Sequence, residues 1–347
     1  MIEYIKGNML EAKAEAIVNT VNTVGVMGKG IALQFKKAFP ENYKSYVEAC
    51  KRGEVRLGKM FLFPHARLEW PKYIINFPTK RHWKSRSNLQ DIKSGLNDLI
   101  KLIDELKLQS IAIPPLGCGL GGLPWPEVRV LVESAFANHK HVKVLFYQPA
   151  GAPRPEEMPI RTEKPRMTLG RAVLIALMDS YSTPIFQDYV SLLEIQKLTY
   201  FQQTAGENLR LAFSKGRFGP YADNLRHVLN ILDGHYISGW GDGANKPRTP
   251  LTVMPGARDE AYKFLKENEA THNRFKRVAR LIDGFETPYG MELLGTVHWV
   301  IDKEVTPEAD FEDILRNVQA WTKRKKHLFT PDHIKAAEIR LKSHHWI

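Results

Sequence analysis

The sequence has few of the features that mark secreted or membrane proteins. Its 347 residues include two cysteines, Cys50 and Cys118. These are too few for a disulfide framework, so we predict a reducing compartment. No apolar run reaches the roughly 18 residues that a membrane span needs. The first residues lack a basic region followed by a long apolar stretch, so no signal peptide is expected and the predicted location is cytoplasmic, without membrane contact.

Patterns that bind structural metals are also missing. Neither cysteine belongs to a Cys-x-x-Cys motif, and no histidine pair with ligand spacing accompanies them. The histidines from His227 onward show no such spacing, and the adjacent His344 and His345 are typical of a solvated terminus. We therefore expect no metal and no cofactor.

The net charge is +12, and the basic excess is concentrated in the first half of the sequence. Residues 1–147 contain 22 Lys and Arg against 13 Asp and Glu, whereas residues 167–347 contain 24 against 22. A basic surface favours a polyanionic partner, either nucleic acid or a phosphorylated ligand. Charge alone leaves open the alternative of an ordinary, mildly basic surface.

The first half of the sequence alternates between strand and helix character. The apolar patterns predict strands over 4–5, 16–18, 60–63, 73–76, 111–113 and 142–146, and helices over 30–39, 42–50, 89–106 and 124–137. This alternation predicts an α/β domain whose mixed sheet is flanked by helices on both faces. Ligands in such folds bind at the carboxyl ends of the strands.

The second half is predicted to be a mostly α-helical domain. Between the two halves, residues 149–166 carry five prolines and are interpreted as a semi-rigid linker. The domains are thus predicted as 1–148 and 167–347. No strongly alternating strands are found in the second, although a small wing or hairpin is considered around 213–218. Its helices are predicted over 169–179, 189–204, 223–232, 257–268, 273–282, 289–300, 311–321 and 331–343.

A glycine-rich loop follows the second predicted strand. Strand 16–18 leads through Asn19 and Asn22 into a loop with three glycines, 23–30, which opens a helix. Glycines let backbone amides approach a ligand, helix N-termini attract phosphate, and asparagine can bond sugar hydroxyls. A Rossmann dinucleotide loop is disfavoured because Leu33 stands where the third glycine would be.

A second glycine-rich loop, 114–123, follows strand 111–113 and also opens a helix. Two such loops at two strand ends can hold the two phosphates of a diphosphate. Cys118 lies in this loop without an identifiable histidine partner, so it is interpreted as a small packed residue and not as a nucleophile.

Together these motifs resemble the macrodomain family, which binds ADP-ribose, over about 1–148. Within that family the sequence is most similar to the branch of terminal-ADP-ribose-glutamate hydrolase and the DarG-type antitoxins. The segments that carry the resemblance are 27–37, 79–81, 88–90 and 117–120.

The resemblance implies a set of ADP-ribose-binding positions in this chain. Asn8 stands where many macrodomains have an aspartate that contacts adenine, and Asn22 matches the asparagine beside the distal ribose. The full implied set is Asn8, Met9, Asn22, Gly28, Lys29, Gly30, Ile31, Thr79, Gly117, Cys118, Gly119, Leu120 and Gly121.

Lys80 matches the catalytic lysine of the branch and lies in the very basic segment 80–86. Neighbouring cations and partial burial are expected to lower the pKa of this lysine and free its amine. Without the resemblance, the segment would be interpreted as a solvated basic loop. Trp83 among these cations is also suited to single-stranded DNA, through stacking and phosphate contacts.

One position departs from part of the branch. Gly121 stands where the protein-deconjugating hydrolase has a catalytic aspartate, so a mechanism that uses this aspartate is not expected here. The departure favours the antitoxin side of the branch, which relies chiefly on the lysine.

The resemblance therefore implies an antitoxin with two activities. Its macrodomain would hydrolyse the N-glycosidic bond between ADP-ribose and thymidine in single-stranded DNA, and residues 167–347 would bind and neutralise the cognate DNA ADP-ribosyltransferase toxin. Alternatives are an ADP-ribose reader, a hydrolase of ADP-ribosylated protein carboxylates, and a DNA-binding regulator led by the second domain. The acidic stretch 304–313 is interpreted first as a helix N-terminus and second as a mimic of DNA.

Overall fold

A computed structural model describes residues 1–65, 70–182, 189–244 and 246–347. The chain forms two compact units. The first comprises Met1–Glu163 together with Gly241–Ala244, and the second comprises the rest of the chain from Lys164 onward. The division at Glu163 falls inside the predicted linker 149–166. Sequence reasoning had grouped the short segment Gly241–Ala244 with the second domain, whereas the structure groups it with the first.

The first unit contains a six-stranded mixed sheet with the strand order β1-β6-β5-β2-β4-β3. All neighbouring pairs are parallel except β3 with β4, which is antiparallel. Strand β2 lies between β5 and β4 and is buried over most of its length, which explains its nearly continuous apolar sequence. The strands are β1 (Ile2–Ile5), β2 (Ala16–Asn22), β3 (Phe61–Pro64), β4 (Tyr73–Lys80), β5 (Ser110–Ile113) and β6 (Lys143–Tyr147).

Helices cover both faces of this sheet, as predicted. Helices α3 and α4 pack on one face, where Leu96 and Val132 join the strand residue Ile111 in one core cluster. On the other face, Phe35 of α1 packs with Ile17 of β2. The helices are α1 (Gly30–Ala38), α2 (Pro40–Lys51), α3 (Leu89–Leu106) and α4 (Trp125–Phe136). The prediction for α3 has the observed bounds because its apolar positions repeat over about five turns.

The second unit is mostly helical, as predicted. Its helices are α5 (Leu169–Tyr181), α6 (Leu192–Thr204), α7 (Leu225–Leu232), α8 (Ala257–Leu265), α9 (Glu269–Ile282), α10 (Pro288–Lys303), α11 (Phe311–Ala320), α12 (Lys323–Leu328) and α13 (Pro331–Ser343). Helix α12 was missed because its six residues are largely basic and show no apolar repeat. Among the described residues, no helix has both the length and the apolar character that a bilayer crossing demands.

The second unit also contains strands. The predicted wing is confirmed as an antiparallel hairpin of β8 (Phe213–Gly216) and β9 (Gly219–Ala222). The sequence shows no strong strand alternation outside the hairpin, yet three further short strands form a small antiparallel sheet. They are β7 (Val190–Ser191), β10 (Ile237–Ser238) and β11 (Pro250–Val253). These strands have two to four residues, which is too short for an alternating pattern to be visible.

Candidate functional site

Three strand ends meet at one edge of the first sheet. Because β5, β2 and β4 are parallel neighbours, their carboxyl ends point to the same edge. Strand β2 leads into residues 23–29, which we call the first loop, and β5 leads into residues 114–124, the second loop. Strand β4 ends at Lys80. The two glycine loops and the predicted lysine are therefore brought together from distant parts of the sequence.

Asn22 shapes the first loop from within. Its side-chain oxygen accepts hydrogen bonds from the backbone amides of Val24 and Val26, at 3.0 and 3.3 Å, and its nitrogen donates to the Val26 carbonyl at 2.6 Å. The Tyr46 hydroxyl donates to the Asn22 carbonyl at 2.5 Å. The side chain is thus engaged with its own loop, and the predicted ribose contact stays a prediction.

Gly30 begins α1 in a left-handed conformation, with φ of +62°. A Cβ atom built on Gly30 would lie 3.7 Å from the Leu120 side chain, so the two loops approach each other here. Within the same unit, the Gly30 amide donates to the Asp242 carbonyl at 2.7 Å. Gly28, Lys29 and Ile31 are partly exposed, and the Lys29 side chain forms no cap on α1. These four positions lie at the N-terminus of the helix, and their contacts to an anion stay predictions.

The second loop is held by its own backbone. The amides of Cys118 and Leu123 donate to Pro115 and Gly117 carbonyls, at 3.1 and 3.0 Å. Burial raises the pKa of the Cys118 thiol to about 11, which supports the interpretation of Cys118 as a packed residue and not a nucleophile. Leu120 is 66 % exposed at the tip.

Lys80 links the end of β4 to the second loop. Its Nζ donates to the Leu120 carbonyl at 3.3 Å and to the Trp83 carbonyl at 3.2 Å. The side chain is half-buried and forms no ion pair in the part of the chain that the structure describes. Burial lowers the pKa of Lys80. Neighbouring cations were also expected to contribute, but Arg81 and Lys84 are exposed, where water screens their charge.

Three of the predicted ligand positions have side chains that are engaged within the protein. The Thr79 hydroxyl is buried and donates to the Val21 carbonyl at 3.4 Å. Met9 packs into the core at 5 % exposure. Asn8 caps the short 3-10 turn that follows it by accepting from the Leu10 amide, and it also donates to Glu11. Their roles toward a ligand stay predictions, and any contact from Met9 or Thr79 is more readily made through the backbone.

Sequence reasoning missed a buried asparagine network beneath the loops. Asn19, offered as a sugar contact, is fully buried and donates to the Asn76 side chain at 3.0 Å. Asn76 in turn donates to the side-chain oxygen of Asn42 at 2.7 Å. The signal was present in the sequence, because an asparagine in the middle of an apolar strand needs a buried partner. Asn19 therefore belongs to the scaffold and not to the ligand surface.

Gly121 has no room for a side chain. A Cβ atom at this position would lie 2.4 Å from the Gly117 carbonyl oxygen and 2.3 Å from the Ser87 hydroxyl. By contrast, a Cβ atom at Gly119 in the same loop meets nothing within 4 Å. The absence of an aspartate at residue 121 is thus built into the conformation of this loop.

We expect Gly121→Asp to damage the loop and not to add a catalytic group. Overpacking should lower the free energy of unfolding of the first unit by about 1–3 kcal/mol, and the affinity for ADP-ribose should fall about tenfold or more. Gly119→Asp adds the same charge two residues away and is the matched control. Calorimetric titration with ADP-ribose measures both variants. Hydrogen exchange in denaturant measures the free energy of unfolding of the first unit, and equal values for the two variants would contradict the steric argument.

The described residues hold no group of three or more His, Cys, Asp or Glu side chains arranged to bind a metal ion. The edge of the sheet presents backbone amides, the first loop ordered by Asn22 and the amine of Lys80.

Comparisons with known proteins agree with this architecture. The Macro domain family matches residues 18–132. A DNA ADP-ribosyl glycohydrolase of Thermus aquaticus is 46 % identical over 97 % of this chain and 92 % of its own length. A protein of the same name from Mycobacterium tuberculosis is 43 % identical over 98 % of this chain and 99 % of its own.

A third relative combines two activities in its name. This DNA ADP-ribosyl transferase-DNA ADP-ribosyl glycohydrolase fusion protein of Thermosipho africanus is 34 % identical, with 43 % of this chain and 42 % of the relative covered. The resemblance to macrodomains is confirmed, and the matches at 46 % and 43 % identity extend through both units. The chain belongs to the DNA ADP-ribosyl glycohydrolase family.

Proposed function

We propose that this chain is an antitoxin that removes ADP-ribose from thymidine in single-stranded DNA. Its substrate is a DNA strand that carries ADP-ribose on thymine, and its product is restored DNA with free ADP-ribose. Residues 167–347 bind and neutralise the cognate DNA ADP-ribosyltransferase toxin. The names of the full-length relatives support the reaction, and the fusion relative supports the link to a transferase.

The observation that carries the hydrolase proposal is the environment of Lys80. Its ammonium group contacts two backbone carbonyls and no carboxylate in the described residues, and burial lowers its pKa. A lysine with these properties releases its proton more readily than a solvated one and becomes available as a nucleophile. A module that only reads ADP-ribose has no need of such an amine.

The proposed reaction follows from this amine. The neutral amine of Lys80 forms a bond to the anomeric carbon of the distal ribose as the bond from that carbon to the thymine nitrogen breaks. The proton that the amine loses on forming this bond passes to the thymine nitrogen. Water then replaces the lysine and releases ADP-ribose. Backbone amides of the two glycine loops hold the diphosphate and favour the charge that develops.

The surface beside Lys80 supports a DNA substrate. Trp83 is 40 % exposed, and the Lys84 ammonium lies 4.9 Å from the centre of its ring. Exposed aromatic rings stack on unpaired bases, and the cations around them attract the phosphate backbone. This surface also belongs to the half of the sequence with the basic excess.

The contacts of the acidic stretch 304–313 give no support to the hypothesis that the second unit mimics DNA. Asp310 caps α11 by accepting from the Asp313 amide at 2.9 Å, and Glu304 pairs with Lys215 at 2.7 Å. These carboxylates complement a helix dipole and a neighbouring lysine. The toxin-binding proposal therefore rests on the family and not on this stretch.

The test is release of free ADP-ribose from a single-stranded oligonucleotide ADP-ribosylated on thymidine. We expect multiple turnovers on this substrate, and release at least about tenfold slower from a protein that carries ADP-ribose on glutamate. Binding of ADP-ribose without release from either substrate would indicate a reader and overturn the proposal. Faster release from the protein substrate would instead favour a hydrolase of protein carboxylate esters.

A further inference from the structure

The second unit contains a cavity that the proposed function does not use. Its volume is about 230 Å³, below the roughly 300–1,000 Å³ typical of drug-sized ligands. It lies between α6 and the β8–β9 hairpin. The side chains that line it include Leu192, Leu193, Lys197, Arg217, Phe218 and Tyr221. Their apolar groups form most of its wall, and no Asp or Glu lines it in the described part of the chain.

Lys197 is a buried amine without a carboxylate partner in the described part of the chain. It is 1 % exposed, and its Nζ donates to the Pro220 carbonyl at 2.9 Å. It forms no ion pair among the described residues. Glycines make room for it, because a Cβ atom at Gly219 would lie 3.3 Å from the Lys197 Cε atom. A single carbonyl does not balance a full charge removed from water.

Glu292, whose charge acts on Lys197, is already paired with other cations. Glu292 pairs with Lys325 at 2.5 Å and with Arg324 at 2.7 Å. Burial is the main cause that lowers the pKa of Lys197 to about 7. The Lys325 charge also acts to lower this pKa, whereas the Glu292 charge acts to raise it. An anion placed in the cavity would reverse this effect by favouring the charged amine.

A second cation stands at the wall of the cavity. Arg217 is exposed, and its guanidinium lies 5.4 Å from the centre of the Phe218 ring. The Gln196 side chain exchanges hydrogen bonds with the backbone of Ala222, so its polar groups are not free for a ligand. The groups left for a ligand are thus apolar surface and positive charge.

We propose that this cavity binds a small organic acid, with an apolar body about the size of a benzene ring and one carboxylate held by Lys197. The apolar body occupies the space beside Leu193 and Phe218. The carboxylate supplies the charge that Lys197 lacks. This site is separate from the ADP-ribose site in residues and in ligand, and it does not depend on the hydrolase proposal.

The probe is benzoate. The control is benzamide, which has nearly the same shape but no charge. Calorimetric titration of the full chain should show benzoate binding with a dissociation constant on the order of 1 mM or lower. Benzamide should bind at least about tenfold more weakly. Lys197→Met should weaken benzoate binding by a similar factor, whereas Lys323→Met, which removes an exposed lysine, should leave it unchanged.

Proton uptake on benzoate binding distinguishes a direct contact with the Lys197 amine from a purely structural role of this residue. Because the lowered pKa leaves part of the Lys197 amine neutral above pH 7, benzoate binding should take up a proton there, and its affinity should fall between pH 7 and 9. Titrations in buffers of different ionisation enthalpy measure the uptake. The other charged or titratable groups around Lys197 are Lys325, Glu292, Arg217 and Tyr221.

Two results would overturn the proposal. One is no benzoate binding to the wild-type chain, and the other is unchanged binding by a folded Lys197→Met variant. If that variant does not fold, nuclear Overhauser contacts between benzoate and the Leu193 methyl groups in the wild type decide the matter. Their presence supports the site, and bound benzoate without them places the ligand elsewhere and refutes it.

Discussion

Lys80→Met should lower the rate of ADP-ribose release from ADP-ribosylated DNA by about 10³-fold while ADP-ribose still binds. The reason is that methionine keeps most of the length and apolar surface of the side chain but has no amine for the anomeric carbon. Lys101→Met is the control, since Lys101 is an exposed lysine of α3 in the same unit and lies outside the proposed DNA surface. Single-turnover release and ADP-ribose titration measure the two effects separately.

The pH profile of the wild-type chain tests the same amine. The nucleophile is the neutral form, so the rate should rise with pH through the pKa of Lys80. Burial lowers this pKa, which places the midpoint below that of an ordinary lysine.

Unchanged release by a folded Lys80→Met variant would remove this residue from the mechanism. The variant should still inhibit the toxin at equal molar ratio, because toxin binding is assigned to residues 167–347.

Glu292→Gln should lower the free energy of unfolding of the second unit by about 3 kcal/mol. The Glu292 carboxylate is 2 % exposed and bonds the fully buried Lys325 as well as Arg324. Glutamine keeps the shape but removes the charge, which leaves the Lys325 and Lys197 cations buried together. Glu312→Gln changes an exposed residue of α11 and is the control.

Hydrogen exchange at increasing urea concentrations is followed on peptides of α10 and α13. It reports the free energy of unfolding of the second unit separately from that of the first. Burial raises the pKa of Glu292, but Arg324 and Lys325 together lower it more, so the net shift is downward. The carboxylate therefore stabilises the fold above the pKa of an unfolded glutamate, and this contribution is lost as pH falls through the lower folded pKa. Equal stability of the two variants would contradict the importance of this buried charge.

The patterns in the sequence were sufficient for much of the first unit. Helix α3 was predicted with its observed bounds, and both glycine loops follow buried strands, since local apolar periodicity and glycine placement are readable without tertiary contacts. The strands β7, β10 and β11 were missed because each is short and is stabilised by pairing with distant residues. Helix α12 was missed for a related reason. Its sequence has no apolar repeat, and the buried contacts of Lys325 stabilise it instead.

The sequence by itself determined the α/β pattern and the two loops, because each is encoded by neighbouring residues. Lys80, the last residue of β4, was singled out by the family resemblance and not by its neighbours. Only the tertiary structure decided that Asn19 belongs to a buried network and that Gly121 has no space for a side chain. It also decided that Lys197 lines a cavity to which the described residues contribute no carboxylate. These properties depend on atoms far apart in the chain. Space, burial and charge balance arise from packing, and no local pattern records them.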